Sequence, residues 1–236
     1  SFLEQSFSNW NLILLPNDKS KIIDLKQLPH NEKIEIFSDY DNENIFKKIC
    51  DLDTDFICFL DTNIVIPPYA LSQFSNFIHN SNDSDIFYCD HDYIDKHKKR
   101  HEPFFKPDWS LVTFRSFDYL SPLCIIKKPL VEKAFKNYFL DDCFYFNLLL
   151  NCIGLSKKIS HIPLPLCSIP DKNTSFDSEC KKNVLANHIK QNNIHAEIED
   201  GLLPDTFRIH YNLKSQPKVS ILIPTKNNPR ILKRCI

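Results

Sequence analysis

Short apolar runs alternate with amphipathic stretches along the chain, and this alternation predicts an α/β protein. Apolar residues recur at helical spacing between the runs, as Ile45, Ile49 and Leu52 do. Strands that alternate with helices favour a largely parallel central sheet. The runs themselves, which are rich in apolar or β-branched residues and bounded by polar turn formers as buried strands are, cover residues 11–16, 33–38, 55–61, 85–90, 123–128 and 159–164.

The pattern changes after residue 194. Residues 195–217 are polar with alternating apolar positions, which predicts a strand pair or an extended linker. From about Lys218 a buried-strand pattern is followed by a turn that contains Pro224 and then by a helical pattern. We therefore expect a first α/β domain over residues 1–194 and the opening of a second one over residues 218–236.

Composition and charge exclude several classes of protein. The chain has 236 residues and a net charge of −1, and a nucleic-acid-binding protein would need a surplus of cations. No apolar run approaches the roughly 20 residues that a membrane helix needs. Gly154 and Gly201 are the only glycines, so a glycine-rich phosphate loop is impossible. Any nucleotide must be held by side chains, a metal or non-glycine backbone.

Nine cysteines occur at irregular spacing and without a CxxC motif. This pattern predicts neither a disulfide framework nor a cysteine-based zinc site. A zinc site at His97, His101 and Glu102 is a weaker alternative, since the HExxH order is absent from this lysine-rich segment. Most cysteines lie in apolar runs and act as small hydrophobic residues, which is typical of a reducing compartment, and we expect a cytoplasmic protein.

Several segments resemble family 2 glycosyltransferases, in particular bacterial polysaccharide and O-antigen enzymes. DFICFLDTNIVIPPYAL resembles the family strand that ends in Asp-x-Asp, and SHIPLPL resembles its HIP strand. DIFYCDHDYIDKHKKRHEPFFKPDW resembles a D-x-I-Y-S-D-E-D segment that ends in F-K-P-D-W, the most specific part of the match. The resemblance covers residues 1 to about 213. It implies a GT-A fold, a Rossmann-like α/β sandwich with a mainly parallel sheet that binds a nucleotide-sugar.

The two ends of the chain resemble successive parts of such a domain. KVSILIPTKNNPRILKRCI resembles its opening strand and helix, and SFLEQSFSNW at the start resembles the segment that follows that opening. The resemblance therefore implies tandem glycosyltransferase domains. The first, over residues 1–194, lacks its opening strand, and the second is present only as its opening strand and helix.

On the donor side, the resemblance implies that Asp18 and Asp61 bind the nucleotide-sugar and that Asp61 and Asn63 bind Mg²⁺ or Mn²⁺. Family members have Asp-x-Asp where this chain has Asp61-Thr62-Asn63. Hard oxygen ligands suit a cation that bridges the diphosphate. Because Asn63 brings no charge, we expect the metal to bind weakly. The alternative is that Asp61 only caps the turn that follows.

On the acceptor side, the resemblance implies that Asp90, Asp92 and Trp109 line the cleft. An aromatic ring stacks well on the apolar face of a sugar, although Trp109 is equally compatible with a place in the core. The segment Asp90-His91-Asp92 is also compatible with a metal site or with a solvated loop.

Asp141 and Asp142 open a predicted helix at the place where the family has its catalytic base, which takes the proton from the acceptor hydroxyl. An ungapped match puts Tyr145 at the base position, and a short gap restores Asp142. An ordinary helix N-cap is the alternative role for these aspartates.

The sequence thus predicts a metal-dependent, inverting glycosyltransferase. It would transfer a sugar from a nucleotide-sugar to a glycan or lipid-linked acceptor in surface polysaccharide synthesis, at or near the inner face of the membrane. Departures from the family pattern at the nucleotide, metal and base positions support a second hypothesis. In that case this domain is a catalytically degenerate scaffold or glycan-recognition module, and an active second domain carries the chemistry.

Overall fold

Strands and helices alternate through most of the computed structural model, which describes residues 2–15, 31–37, 42–81, 83–135, 143–171 and 178–236. Asp18, Asp141 and Asp142 lie outside these ranges. The strands are β1 (Leu12–Leu14), β2 (Ile34–Ile36), β3 (Phe56–Ile57), β4 (Ile86–Ile94), β5 (Arg100–Phe104), β6 (Cys124–Lys127), β7 (Ile159–Pro170), β8 (Ala196–Asp200) and β9 (Phe207–Tyr211).

The helices follow the predicted amphipathic stretches, with one short addition before β6. They are α1 (Asn42–Asp51), α2 (Ala70–Asn80), α3 (Leu111–Ser116), α4 (Lys128–Phe135), α5 (Phe144–Leu155), α6 (Ser178–Gln191) and α7 (Pro229–Cys235). Helix α3 begins where the hydroxyl of Ser110 accepts a hydrogen bond from the Thr113 amide, as an N-cap does. Within the described ranges, no helix has the length and hydrophobicity of a membrane span.

Strand β4 is the centre of a five-stranded sheet. Strand β7 pairs with it in parallel over residues 86–94, while β6 and β5 pair antiparallel with its first and second halves on the opposite edge. Strand β3 completes the sheet by pairing antiparallel with β6. The α/β class is confirmed.

The expected mainly parallel order needs a correction for this sheet, because only the β4–β7 pairing in it is parallel. The direction of β5 follows from its connection, since the short turn after Ile94 leads back as a hairpin and forces an antiparallel pair. A second parallel pair, β1 with β2, is formed separately by residues 12–14 and 34–36. Alternation of strands and helices along a sequence does not distinguish these pairings.

Helices cover both faces of the sheet. The alternation of side chains along β4 sends Ile86 and Tyr88 to one hydrophobic cluster and Phe87 and Cys89 to the other. The larger cluster includes residues of α1, α4, α5 and α6, and the smaller one includes Phe74 of α2. Because both faces are buried, the charged residues in β4 need partners within the protein.

A disulfide joins Cys143 to Cys180 and so links the start of α5 to the start of α6. The irregular cysteine spacing predicted no disulfide framework, because spacing alone does not show which cysteines the fold brings together. Most of the free cysteines are buried, and Cys89, Cys124 and Cys152 lie in the core as the apolar runs around them indicate.

Residues 195–217 contain the antiparallel pair β8–β9. Phe207 is buried in the larger hydrophobic cluster, and Ile198 and Ile209 pack against it. The hairpin is therefore attached to the first domain through apolar contacts.

Residues 219–225 have no assigned secondary structure, although their sequence has a strand pattern. Val219, Ile221 and Leu222 are 76%, 80% and 91% exposed. Helix α7 begins after Asn228, whose side-chain oxygen accepts a hydrogen bond from the Ile231 amide. A strand pattern predicts a strand only where a neighbouring strand can accept its hydrogen bonds.

We expect the backbone amides of residues 219–223 to exchange rapidly with solvent in this chain. They are exposed and outside any strand, whereas the amides of β7 are held in a long ladder with β4. Hydrogen exchange followed by mass spectrometry measures both segments in one experiment, with β7 as the internal reference. Protection of residues 219–223 at the level of β7 would contradict this and would show that the segment pairs with another strand.

Candidate active site

The sheet register brings Asp61 and Asp90 to the same edge. Ile57 of β3 and Ile86 of β4 both pair with Ile126 of β6, from its two sides. Both strands run antiparallel to β6 and hence parallel to each other. Asp61 and Asp90 each follow four residues later, so both chains reach the carboxyl end of the sheet, where α/β proteins commonly bind ligands.

Asp61 and Asn63 present two oxygen donors on a turn after β3. The backbone carbonyl of Asp61 accepts a hydrogen bond from the Ile64 amide at 3.2 Å and closes the turn. The side chain of Asp61 is exposed and forms no hydrogen bond with any described residue, so it does not act as the cap of this turn. The side-chain oxygen of Asn63 is buried without a hydrogen-bond partner among the described residues. Such an orphaned acceptor is costly, by about 1–3 kcal/mol, unless a ligand completes it.

This pair fits a hard divalent cation only in part. One carboxylate and one amide oxygen are the right type of ligand for Mg²⁺ or Mn²⁺. Within the described ranges, however, no group of three or more His, Cys, Asp or Glu side chains is arranged to hold a metal. The same finding gives no support to metal sites at residues 90–92 and 97–102. A cation beside Asp61 would need oxygen ligands from a bound diphosphate.

Asp90 is buried at the centre of a polar cluster. Its carboxylate accepts hydrogen bonds from Nε2 of His161 at 2.7 Å and from the backbone amide of Lys106 at 2.8 Å. The imidazole of His161 stacks on Tyr88 with ring centroids 4.8 Å apart. Because a carboxylate only accepts hydrogen bonds, Asp90 fixes a proton on Nε2 of His161.

Asp92 is also fully used by protein donors. Its two oxygens accept hydrogen bonds from Nε of Arg100 at 2.6 Å and from the hydroxyl of Ser168 at 2.5 Å. Burial alone would lower the pKa of Arg100, but its hydrogen bonds to Asp92 and Tyr69 raise that pKa above its ordinary value. Arg100 therefore stays charged and neutralises the buried carboxylate.

The positions of Asp90 and Asp92 correct two predictions. They lie inside β4 and not in a solvated loop, because β7 and β5 extend the strand to Ile94. They do not line an open acceptor cleft either, since Asp90 is 1% exposed and Asp92 6%. Both carboxylates accept hydrogen bonds that connect strands of the sheet.

Trp109 packs partly within the core. Its ring contacts those of Phe114 and Tyr119, with centroid distances of 5.8 and 6.3 Å. It is one of the partly buried residues that surround the larger hydrophobic cluster. This favours the core role over the sugar-stacking role that the sequence also allowed.

Tyr145 cannot serve as the catalytic base in this arrangement. Its hydroxyl lies 3.0 Å from the sulfur of Cys124, and burial raises its pKa well above the ordinary value. A phenol with a raised pKa does not accept protons effectively at neutral pH. The prediction for Asp141 and Asp142 stays open, because they fall outside the described residues.

Sequence reasoning missed the partners of the two buried carboxylates. His161 lies in the HIP segment, and that match was a signal for its importance. Arg100 ends a lysine-rich run that is typical of a solvated loop, and Ser168 has no sequence signal at all. These pairings depend on the β4–β5 and β4–β7 registers, which the sequence does not specify.

His91 differs from Asp90 and Asp92 in being buried without a hydrogen-bonded or ion-pair partner among the described side chains. Its ring stacks on Phe104 at a centroid distance of 5.1 Å, and its Nδ1 is buried with no partner among the described residues. Burial, with a smaller contribution from the charge of Lys106, lowers the pKa of His91 to about 3. The imidazole is therefore neutral over the physiological pH range.

Several known proteins resemble this chain in sequence or in structure. No family model matches the chain. It is 27% identical over 192 residues to the O-antigen biosynthesis protein RfbC of Myxococcus xanthus, covering 77% of this chain and 15% of RfbC. It is 26% identical over 195 residues to the uncharacterized protein y4gI of Sinorhizobium fredii, covering 77% of this chain and 21% of y4gI. The chain thus spans about a fifth or less of these curated relatives.

The solved structure of S. aureus TarS, residues 1–349, superposes on this chain with a TM-score of 0.52 at 14% identity. The match covers 81% of this chain and 65% of the TarS chain. The chain has a GT-A fold. The likeness of this GT-A domain to family 2 glycosyltransferases, which the sequence motifs predicted, is confirmed. A second, tandem domain stays a prediction.

We expect the free energy of unfolding of the GT-A domain to decrease as the pH is lowered, partly because of His91. Its pKa is lower in the folded state than the unperturbed value of about 6.5, so the unfolded state binds more protons and stability falls as the pH drops from about 6.5 towards 3. In His91→Phe, which keeps a ring against Phe104, the loss of stability between pH 7 and 5 should be smaller by about 2 kcal/mol.

Urea unfolding at pH 7 and at pH 5 measures this difference. The matched control is His79→Phe, since His79 is exposed on α2, and this variant should keep the pH dependence of the unmodified chain. If His91→Phe lost as much stability as the unmodified chain, the burial of a neutral imidazole would not be the cause.

Proposed function

We propose that this GT-A domain is part of a longer glycosyltransferase that transfers a sugar from a nucleotide-sugar to a glycan or lipid-linked acceptor in surface polysaccharide synthesis. The sequence similarity to RfbC, whose name refers to O-antigen biosynthesis, supports a role in surface polysaccharide synthesis. The observation that carries the proposal is the turn after β3. It places the exposed carboxylate of Asp61 at the carboxyl end of the sheet, near the amide oxygen of Asn63, which is buried and has no partner among the described residues. We place the reaction in the cytoplasm, at the inner face of the membrane.

Asp61 and Asn63 would hold Mg²⁺ or Mn²⁺ against the donor diphosphate, with Asp18 as a further contact to the nucleotide. The cation, when bound, neutralises the charge that develops on the departing diphosphate. With a single carboxylate the site should bind the cation weakly without the nucleotide, because the number of charged ligands determines much of the affinity of such sites. Metal and nucleotide should therefore bind together.

Asp142, or its neighbour Asp141, would take the proton from the acceptor hydroxyl as that oxygen attacks the anomeric carbon of the sugar. Attack from the face opposite the departing diphosphate inverts the configuration at that carbon. The buried position of Tyr145 supports this assignment by removing the competing candidate.

A second candidate function is a non-catalytic scaffold or glycan-recognition domain beside an active partner domain. The observation that favours it is that Asp90 and Asp92, the expected acceptor residues, are used up by internal hydrogen bonds. Trp109 likewise contacts the core. In this case the longer protein would still be a glycosyltransferase.

We expect Asn63→Asp to strengthen the joint binding of Mn²⁺ and a nucleoside diphosphate at least tenfold, because it adds a second carboxylate beside Asp61. Asp61→Asn should abolish that binding. Calorimetry with Mn²⁺ and UDP, GDP or dTDP measures both effects. Asp53→Asn is the matched control, since it removes an exposed charge just before β3 and should leave binding unchanged. Micromolar binding of Mn²⁺ alone to the unmodified chain would contradict the proposal.

A kinetic experiment on the full-length protein tests the base. Asp142→Asn should slow sugar transfer by about 10²-fold or more, as the loss of a general base does. Asp61→Ala should have an effect of similar size through the metal, and Asp53→Asn should have none. Unchanged transfer in both variants would overturn the catalytic role and leave the scaffold role.

A further inference from the structure

Asp92 connects three strands through side chains. Besides the bonds that link it to β5 and β7, its partner Arg100 donates from Nη2 to the backbone carbonyl of Pro165 in β7 at 2.7 Å. The side chain of Asp92 is 8% exposed and that of Arg100 is 33% exposed. Charge-assisted hydrogen bonds in such a buried setting are roughly twice as strong as neutral ones.

The same network reaches the turn that carries Asp61 and Asn63. Ser168, whose hydroxyl bonds Asp92, forms a two-way backbone bridge with Val65. The amide of Val65 donates to the carbonyl of Ser168 at 3.1 Å, and the amide of Ser168 donates to the carbonyl of Val65 at 2.8 Å. Val65 lies two residues after Asn63, outside the regular strand β3. This bridge to β7 holds the far side of the turn together with Ile66, which is buried in the smaller hydrophobic cluster.

Arg100 also contacts the segment that leads from the turn to α2. Its Nη1 lies 3.4 Å from the hydroxyl of Tyr69, just before α2. One buried carboxylate is thus linked, through Ser168 and Arg100, to two points of the segment that runs from Asp61 to α2. Besides these links, the turn is held by the two-residue strand β3 and by Ile64 and Ile66, which pack in or against the smaller hydrophobic cluster.

We infer that Asp92 is a positioning residue for the donor site: acting through Ser168 and Val65, it holds the turn that presents Asp61 and Asn63. This rests on the proposed function of that turn in binding metal and nucleotide. Asp92 itself does not contact the donor. The chemistry that the turn would recognise is a nucleoside diphosphate with a divalent cation, and its affinity would depend on a carboxylate buried in the sheet.

The test compares Ser168→Ala, which removes the hydroxyl that bonds Asp92, with Ser168→Thr, which keeps it. Ser160→Ala is the matched control. It removes a partly buried hydroxyl contact at the opposite end of β7, where Ser160 meets Ser84, two residues before β4, at 2.6 Å. Asp92→Ala provides the larger perturbation, and the milder serine variants keep the test valid where that variant does not fold.

Hydrogen exchange at the Val65 amide gives a readout that needs no ligand. We expect about tenfold faster exchange at Val65 in Ser168→Ala, the size of effect that one lost bond to a charged group produces. Ser168→Thr and Ser160→Ala should exchange at the rate of the unmodified chain. Equal exchange in Ser168→Ala and Ser160→Ala would overturn the inference, because the hydroxyl bond would then not hold the turn.

Calorimetry with Mn²⁺ and UDP gives the second readout. Ser168→Ala should weaken binding, and Ser168→Thr, which keeps the hydroxyl, should bind as the unmodified chain does. Suppose that Asp61→Asn abolishes binding. If Ser168→Ala then gives faster exchange at Val65 but unchanged affinity, the inference is overturned. If Asp61→Asn has no effect on binding, the donor site itself is wrong, and exchange at Val65 alone then decides whether Asp92 holds the turn.

Discussion

The burial of two carboxylates in the central strand is the constraint on which the rest of the structure depends. Strand β4 is covered on both faces and paired on both edges, so Asp90 and Asp92 are almost completely shielded from water. Removing a carboxylate from water costs several kcal/mol unless nearby donors compensate. Those donors come from outside β4, which ties the positions of β5 and β7 to the charges on β4.

The compensation differs between the two aspartates. Asp90 is satisfied by His161 and by the backbone amide of Lys106. Asp92 is satisfied by Arg100 and Ser168, and both of these groups also contact the segment after β3. The bonds of Asp90 connect β4 to β7 and to the segment after β5. The bonds of Asp92 connect the sheet, through Ser168 and Arg100, to the exposed segment after β3.

Much of the fold could be predicted from the sequence because apolar periodicity reports burial directly. Six apolar runs mark six strands, and the helical spacing of Ile45 and Ile49 corresponds to a helix over Asn42–Asp51. Strand β5, by contrast, contains Arg100, His101, Glu102 and Pro103, which do not form an apolar pattern, since this strand lies at the edge of the sheet. The second half of β4 was missed for a related reason, because polar residues that are paired inside a protein look like solvated ones in a sequence.

The candidate site divides along the same line. The position of Asp61 near the carboxyl end of β3 was predictable, because Asp61 ends the apolar run that contains this strand, and its role in binding stays a prediction. The roles of Asp90, Asp92 and Tyr145 depend on contacts with residues more than twenty positions away or on a strand register, and neither can be deduced from local sequence. The side chain of Asp61 is exposed, so the fold does not depend on its charge.

The exposed apolar segment before α7 has a consequence for solubility. Val219, Ile221 and Leu222 have high β-propensity and no charge between them, the composition of segments that pair between molecules. The segment is bounded by the charge of Lys218 and by Pro224, which lacks an amide proton. Both are residues that interrupt intermolecular strand pairing, and they confine the vulnerable stretch to five residues, 219–223, fewer than the six or seven typical of segments that stack into fibrils.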